Sequence, residues 1–215
     1  MPTSALIIVA AGSSTRFEGD KMAAEVEGRT LLEFTIGRVL GLVSQLVVVC
    51  SPRLLETIQV DGVDLVPGGP TRTASEIAGL DAVAPDAELI GIHDGARPLV
   101  SPRLIERLFA RAAEVGGAIP VLALPMMEKK TLKPLNRAVA AQTPQVFRAG
   151  SLRLAYRLAE RDGIHGQDTA DIVSRYTALS MAAVMGDEDN IKVTYPRDLD
   201  TVRSWLRSSA RSGEA

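Results

Sequence analysis

A loop of small residues near the start of the chain, Ala10-Ala11-Gly12-Ser13-Ser14-Thr15, is followed by two cations, Arg16 and then Lys21. Small side chains let backbone N–H groups close on a bulky anion. Arg16 offers a planar fork of donors and Lys21 a mobile point charge, a pair suited to neighbouring phosphates of one nucleotide. The loop is not a P-loop, because Gly12 and Gly19 are spaced too widely and Asp20 stands directly before Lys21 where that motif needs glycine. It also lacks the later glycines of the dinucleotide fingerprint. An ordinary turn between strand and helix with exposed basic residues would look the same in isolation.

Two further clusters carry similar chemistry. Pro67-Gly68-Gly69-Pro70-Thr71-Arg72-Thr73-Ala74-Ser75 leads into a helix expected over 74–83. Arg72 and Ser75 then lie near a helix N-terminus, where free N–H groups and the helix dipole favour an anion or a polar ligand edge. A turn with an N-cap is the plainer alternative. His93-Asp94-Gly95-Ala96-Arg97-Pro98 follows the apolar run Leu89-Ile90-Gly91-Ile92. Asp94 could hold a magnesium ion or a substrate hydroxyl and Arg97 a phosphate, against the alternative of a salt bridge within a turn. His93 reads as a buried, hydrogen-bonded imidazole. Asp168 and Asp171 read as caps in the first turn of a helix.

The elements that must position these residues alternate. Strands are expected at Leu6–Val9, Leu46–Cys50, Val63–Val66, Leu89–Ile92, Ala118–Leu124 and Met181–Met185. Helices are expected at 31–42, 52–58, 74–83, 101–115, 149–162 and 196–206, with a further helix opening at 165–171 and an extended piece at 142–147. Apolar runs too continuous for a half-exposed sheet indicate an α/β fold with a mostly parallel sheet covered on both faces. Thr30 with Glu33 forms a capping-box pattern, and Pro52 and Pro102 suit first helical turns. With 215 residues, 46% of them hydrophobic, the chain is read as one domain over 1–207, and the Ser/Arg/Gly-rich end, 208–215, as a tail without structure. A formal charge of −2 argues against a sequence-independent nucleic-acid surface. The single cysteine, Cys50, excludes a disulfide within the chain and reads as a buried thiol. No apolar segment is long enough to span a bilayer, and nothing resembles a secretory leader, so a cytoplasmic protein is expected.

In combination, Ala10-Ala11-Gly12…Arg16…Lys21, Gly68-Gly69…Arg72…Ser75…Gly79-Leu80, His93-Asp94-Gly95-Ala96-Arg97-Pro98, Gln142-Thr143-Pro144-Gln145-Val146-Phe147 and Gly186-Asp187…Asn190-Ile191-Lys192-Val193-Thr194 resemble the 2-C-methyl-D-erythritol 4-phosphate cytidylyltransferase family. The resemblance implies a Rossmann-like three-layer sandwich of the nucleotide-diphospho-sugar transferase type. It implies CTP with magnesium, an attack by the polyol phosphate on the α-phosphate, and release of pyrophosphate. Arg16, Lys21 and Lys192 would stabilise the transferring group. Ala10, Ala11, Gly12, Ser13, Gly68, Gly69, Arg72 and Ser75 would line the CTP pocket, with Asp94 as the metal residue. Asp94, Gly95, Ala96, Arg97 and Thr131 would face the acceptor. A short arm around 126–142 would exchange with a second copy of the chain in a homodimer, Arg137 reaching the partner's substrate. The sequence departs from the family pattern at Lys21, which arrives early, at Gln167, which stands where a threonine is usual, and in the shortened stretch 131–142. Alternatives are a cytidylyltransferase for another polyol phosphate such as ribitol 5-phosphate, a molybdenum-cofactor nucleotidyltransferase, or a catalytically silent nucleotide-binding homologue.

Overall fold

The computed structural model describes residues 3–12, 16–17, 19–123 and 139–212. Along the first strand, β1 (Ser4–Val9), side chains alternate between two cores: Leu6 and Ile8 enter one, Ala5 and Ile7 the other, and none is exposed. A strand buried on both faces needs helices on each side of its sheet, which is why it reads as an unbroken apolar run. A two-stranded hairpin, β2 (Glu25–Val26) and β3 (Arg29–Thr30), stands apart from that sheet. The chain then alternates α1 (Leu31–Val39), β4 (Gln45–Cys50), α2 (Pro52–Thr57), β5 (Asp64–Pro67), α3 (Arg72–Ala82), β6 (Leu89–Asp94), α4 (Pro102–Val115) and β7 (Gly117–Ala123). After the stretch 124–138, which lies outside the described residues, come β8 (Val139–Ala141), β9 (Gln145–Arg148), α5 (Ala149–Arg161), α6 (Thr169–Tyr176), β10 (Met181–Met185) and α7 (Pro196–Ser212).

The main sheet has eight strands in the order β10-β7-β9-β6-β1-β4-β5, with β8 paired to β7. β1 is parallel to β4 and β6, β4 to β5, and β7 to β10, whereas β9 runs antiparallel to β6 and β7. Leu32 and Ile36 of α1, Leu54 of α2 and Leu104 of α4 pack in one core. Leu80 of α3, Leu152 of α5 and Ile172 of α6 pack in the other, which completes three layers. From β1 the chain steps outward to β4 and β5, then returns through α3 to β6 on the opposite side of β1. The loops after β1 and β6 therefore part in opposite directions and leave a crevice beyond their carboxyl ends, where such sheets bind ligands.

A third, smaller core lies over that crevice. Phe17 from the loop after β1, Val193, and Leu199 and Val202 of α7 pack with Val26, Leu31 and Leu99. It joins the first loop to the end of the chain.

Local chemistry sets the element ends. Thr30 Oγ1 accepts from the Glu33 N–H at 3.2 Å and Glu33 Oε2 accepts from the Thr30 N–H at 2.9 Å, completing the capping box. α1 stops before the expected Leu42, because Leu40 leaves helical geometry and Gly41 takes φ 81°. α3 begins earlier than expected, at Arg72, since Thr71 rather than a later residue caps it, accepting from the Ala74 N–H at 3.0 Å. α7 continues through Ser212, past the expected end at Leu206 and into the stretch read as a structureless tail. Within the expected extended piece a cis Thr143–Pro144 bond separates β8 from β9. Among the described residues no helix is long and apolar enough to cross a membrane.

Candidate active site

Beyond the carboxyl ends of β1 and β6 lies a cavity of about 430 Å³. Ala10, Ala11 and Gly12 form one wall, Gly69, Thr71, Arg72 and Ser75 a second, and Asp94 and Ala96 the floor, with Lys21 and Lys192 facing them. Each wall follows from local sequence. Gly12 has open space where a Cβ would stand, so the first loop presents bare backbone to the cavity. At Gly68 a Cβ would fall 2.1 Å from the Ala11 Cβ, so the two loops touch only because that side chain is missing. Ser75 Oγ accepts from the Gly69 N–H at 3.1 Å and donates to the Thr71 carbonyl at 3.0 Å, which ties the second loop to the first turn of α3. A Cβ on Gly79 would lie 2.6 Å from Ile7 Cγ2, so glycine lets α3 settle directly on β1.

Asp94 is the electrostatic centre. It ends β6, is 5% exposed, and meets three cations from distant parts of the chain: Arg72 Nη1 at 2.5 Å, Lys192 Nζ at 2.8 Å and Arg97 Nε at 3.5 Å. Burial alone would raise its pKa, but Arg72, followed by Lys192 and Arg97, outweighs burial and holds the carboxyl far below the usual carboxylate range. The peptide N–H of Asp94 donates to Thr143 Oγ1 at 3.0 Å. Thr143 Oγ1 also contacts His93 Nδ1 at 3.1 Å, while His93 Nε2 faces the Arg97 carbonyl at 3.3 Å. The Thr143 hydroxyl thus donates to Nδ1 and Nε2–H donates to the carbonyl. Burial pushes the His93 imidazole down to about 4, so it is neutral at pH 7. His93 is therefore the satisfied core histidine expected of it.

Lys21 occupies one turn of 3-10 helix, Lys21–Ala23, capped by Asp20, which accepts from the Met22 N–H at 3.1 Å. Its Nζ donates to the Val193 carbonyl at 3.1 Å, so the ammonium stands beside the segment that carries Lys192. Burial and then the repulsion of Lys192 lower its pKa from the ordinary lysine value. That segment is fixed in turn by Gln142, whose Nε2 donates to the Asp187 carbonyl at 2.8 Å, and by Asn190, whose Nδ2 donates to the Thr143 carbonyl at 2.9 Å. Asp187 also accepts from Ser101 Oγ at 2.5 Å and from Arg107 Nη2 at 3.0 Å.

Among the described residues no three His, Cys, Asp or Glu side chains gather into an all-protein metal cage, and Asp94 is already met by three cations, so a metal here would depend chiefly on phosphate oxygens of a bound nucleotide. What the cavity offers is fixed positive charge around a phosphate-sized space.

A family profile for 2-C-methyl-D-erythritol 4-phosphate cytidylyltransferase matches residues 4–208. The chain belongs to this family. It is 38% identical over 230 residues to the Cereibacter sphaeroides enzyme of that name, covering 97% of this chain and 99% of the relative. The Aquifex aeolicus enzyme is 33% identical, with 93% of this chain and 96% of the relative covered. A bifunctional enzyme IspD/IspF of Dinoroseobacter shibae is 34% identical, but the chain spans only 54% of its length. Among solved structures, the Thermus thermophilus 2-C-methyl-D-erythritol 4-phosphate cytidylyltransferase superposes with a TM-score of 0.81 at 31% identity, covering 96% of this chain and all of that one. The family is one of nucleotidyltransferases, and the three-layer sandwich with its mostly parallel sheet is its fold.

Most residues expected at a cytidylyltransferase site meet at the cavity: Ala10, Ala11, Gly12, Lys21, Gly69, Arg72, Ser75, Asp94, Ala96 and Lys192 line it. Others stand behind it. Gly68 packs on Ala11, and a Cβ placed on Gly95 would lie 3.0 Å from the Ala10 Cβ, while the Gly95 carbonyl accepts from Thr35 Oγ1 at 2.9 Å. Arg97 is a half-buried strut whose Nη1 donates to the Asn190 carbonyl at 2.7 Å. Arg16 is exposed at the rim, near enough to repel Lys21. Ser13, Thr131, Arg137 and most of the expected arm lie outside the described residues. Sequence reasoning missed Glu76 and Tyr156, and quoted Asn190 in a motif without assigning it a role; all three hold the lining from behind. Glu76 left a trace, as a carboxylate on the apolar face of a helix.

Proposed function

We propose that this chain transfers CMP from CTP to 2-C-methyl-D-erythritol 4-phosphate, releasing pyrophosphate. The observation that carries the reading is the convergence of Lys21 and Lys192, from opposite ends of the chain, on one cavity with the Gly12 loop and Asp94. The named relatives favour methylerythritol phosphate over the other acceptors weighed from the sequence.

In this reading a phosphate oxygen of the acceptor attacks the α-phosphorus of CTP and the bond to the β-phosphate oxygen breaks, so pyrophosphate leaves with the electron pair. Phosphoryl-type transfer asks the protein for position and charge rather than for a nucleophile. Lys21 and Lys192 stabilise the charge gathering on the α-phosphate, and Arg16 meets the triphosphate at the rim. The bare backbone at Gly12, with Ala10, Ala11 and Ser13, takes the phosphates. Gly69, Arg72 and Ser75 take the nucleoside, and Asp94, held ionised, accepts from an acceptor hydroxyl. Arg97 and Gly95 keep Asp94 in place, while Ala96, Thr131 and Arg137 complete the acceptor side. Magnesium would be held chiefly by the triphosphate oxygens, with Asp94 the one carboxylate among the described residues lining the cavity, and would neutralise charge on the leaving pyrophosphate.

A second copy of the chain is the expected partner. Val139 and Met185, 53% and 67% exposed on β8 and β10, leave apolar surface beside the base of the arm, and a homodimer would cover it. The lone, buried Cys50 thiol suits a reducing compartment, and we place the reaction in the cytoplasm. The test is pyrophosphate release from CTP and magnesium with methylerythritol 4-phosphate or ribitol 5-phosphate as acceptor. Release with the first supports the reading; release with the second alone, or with neither, overturns it.

A further inference from the structure

A carboxylate lies buried where the apolar core would tolerate a hydrocarbon. Glu76 follows Arg72 by one turn of α3, is 1% exposed, and is held between two groups: Arg72 Nε donates to its Oε1 at 2.9 Å, and the Tyr156 hydroxyl donates to its Oε2 at 2.9 Å. Tyr156 comes from α5, the neighbouring helix in the same layer, and is 1% exposed. Burial raises the pKa of both groups, and for Glu76 the Arg72 guanidinium opposes that rise. Replacing a buried ion pair by apolar side chains is often neutral or stabilising, so fold stability gives Glu76 no clear reason to be an acid.

Its geometry gives another reason. Arg72 stands between two carboxylates, with Nε on Glu76 and Nη1 on Asp94, and its side chain is 32% exposed where it borders the cavity. Its Nη2 makes no hydrogen bond to any described residue. Two anchors fix a planar guanidinium in both position and tilt, whereas Asp94 alone would leave it free to swing about one contact. Without Glu76, Asp94 would also be the sole acid facing Arg72, Arg97 and Lys192.

We propose that Glu76 and Tyr156 are positioning residues that hold the Arg72 guanidinium, with Nη2 free, against the nucleotide in the cavity. The proposal rests on the reading that this cavity binds CTP. Tyr156 acts through Glu76 and Glu76 through Arg72; neither borders the cavity.

The test compares the wild-type chain with Glu76→Met, Glu76→Gln and Tyr156→Phe. It uses calorimetric titration with CTP, steady-state kinetics with each substrate varied, and thermal melts. Glu76→Met fills the space and removes both anchoring bonds, so CTP binding and KM for CTP worsen about tenfold, as expected for loss of a charged hydrogen bond. The KM for the acceptor stays within about threefold, while the melting temperature falls, because one partner of a buried pair is gone and the Tyr156 hydroxyl loses its acceptor. Glu76→Gln keeps an oxygen for Arg72 Nε and recovers part of the loss. Tyr156→Phe leaves Glu76 charged and costs about threefold. Unchanged CTP binding in Glu76→Met overturns the proposal, as does a loss shared equally by both substrates. Failure of the wild-type chain itself to bind CTP would instead overturn the reading beneath it.

Discussion

Replacing Asp94 by asparagine keeps the shape of the floor and removes its charge. The carboxylate is buried and meets Arg72, Lys192 and Arg97, and removing one partner of a buried ion pair costs about 3–5 kcal/mol. Two of the three cations can relieve themselves in water, since the Arg72 side chain is 32% and the Lys192 side chain 39% exposed. That screening reduces the expected loss to about 2–3 kcal/mol. For a domain of this size each kcal/mol moves the melting temperature by about 2–4 °C, so Asp94→Asn should melt about 4–12 °C lower at pH 7. The pH dependence has a definite sign. A carboxyl whose folded pKa is depressed contributes stability that is complete above its unfolded value, about 3.9, and is lost as pH falls below that value. The wild-type chain should therefore lose stability steeply on that acid limb, and the variant should lose less. In the assay the substrates should separate: the acceptor, which loses the hydroxyl partner, should weaken more than CTP, whose phosphates meet a cavity one negative charge poorer. A melting temperature indistinguishable from wild type, with an unchanged acid limb, would refute the view of Asp94 as the caged centre. Equal weakening of both substrates would move Asp94 out of acceptor recognition.

Other outcomes follow from single contacts. Lys21→Ala and Lys192→Ala should each lower turnover by roughly 10²-fold with the melting temperature little changed, as for removal of a preorganised charge donor; near-normal turnover in both would remove both lysines from the chemistry. Gly68→Ala should force the second loop away from Ala11, since its Cβ would fall 2.1 Å from the Ala11 Cβ, and CTP titration should show weaker binding at an unchanged oligomeric state. His93, with its pKa pushed down to about 4, stays neutral in the fold while the unfolded chain takes up a proton below about 6.5. Stability should thus fall by about 3 kcal/mol as pH drops from 6.5 to 4, and His93→Gln should flatten that part of a denaturation series.

The sheet was legible because β1, β4 and β6 are buried on both faces, and a strand covered from both sides has no polar face to interrupt its apolar run. Thr30 with Glu33 announced the start of α1 and Ser101-Pro102 that of α4, since caps act within one turn. The direction of β9 was not legible. β9 runs antiparallel because it crosses back between β6 and β7, and no local feature of Gln145–Arg148 encodes that route. The site divides in the same way. Lys21, Arg72 and Asp94 could be singled out as charges in loops or at element ends, and Lys192 only through the family resemblance. That they line one cavity around Asp94 is a consequence of topology. Arg97 read as a phosphate ligand, yet the fold turns it inward to Asn190, because its spacing from Asp94 satisfies a local ion pair as readily as a distant ligand. Glu76 and Tyr156 escaped notice since neither has a partner nearby in the sequence except Arg72.

The small core that joins Phe17 to Val193 and α7 also sets the order in which the protein becomes competent. Ribosomes deliver the first loop, the floor and most of the sheet long before they deliver Lys192, so a nascent chain can hold much of its architecture while its centre is still missing a charge. Only the finished polypeptide closes the circuit. A premature stop before Lys192 would leave a chain without the Asp94–Lys192 ion pair and without α7 over Phe17.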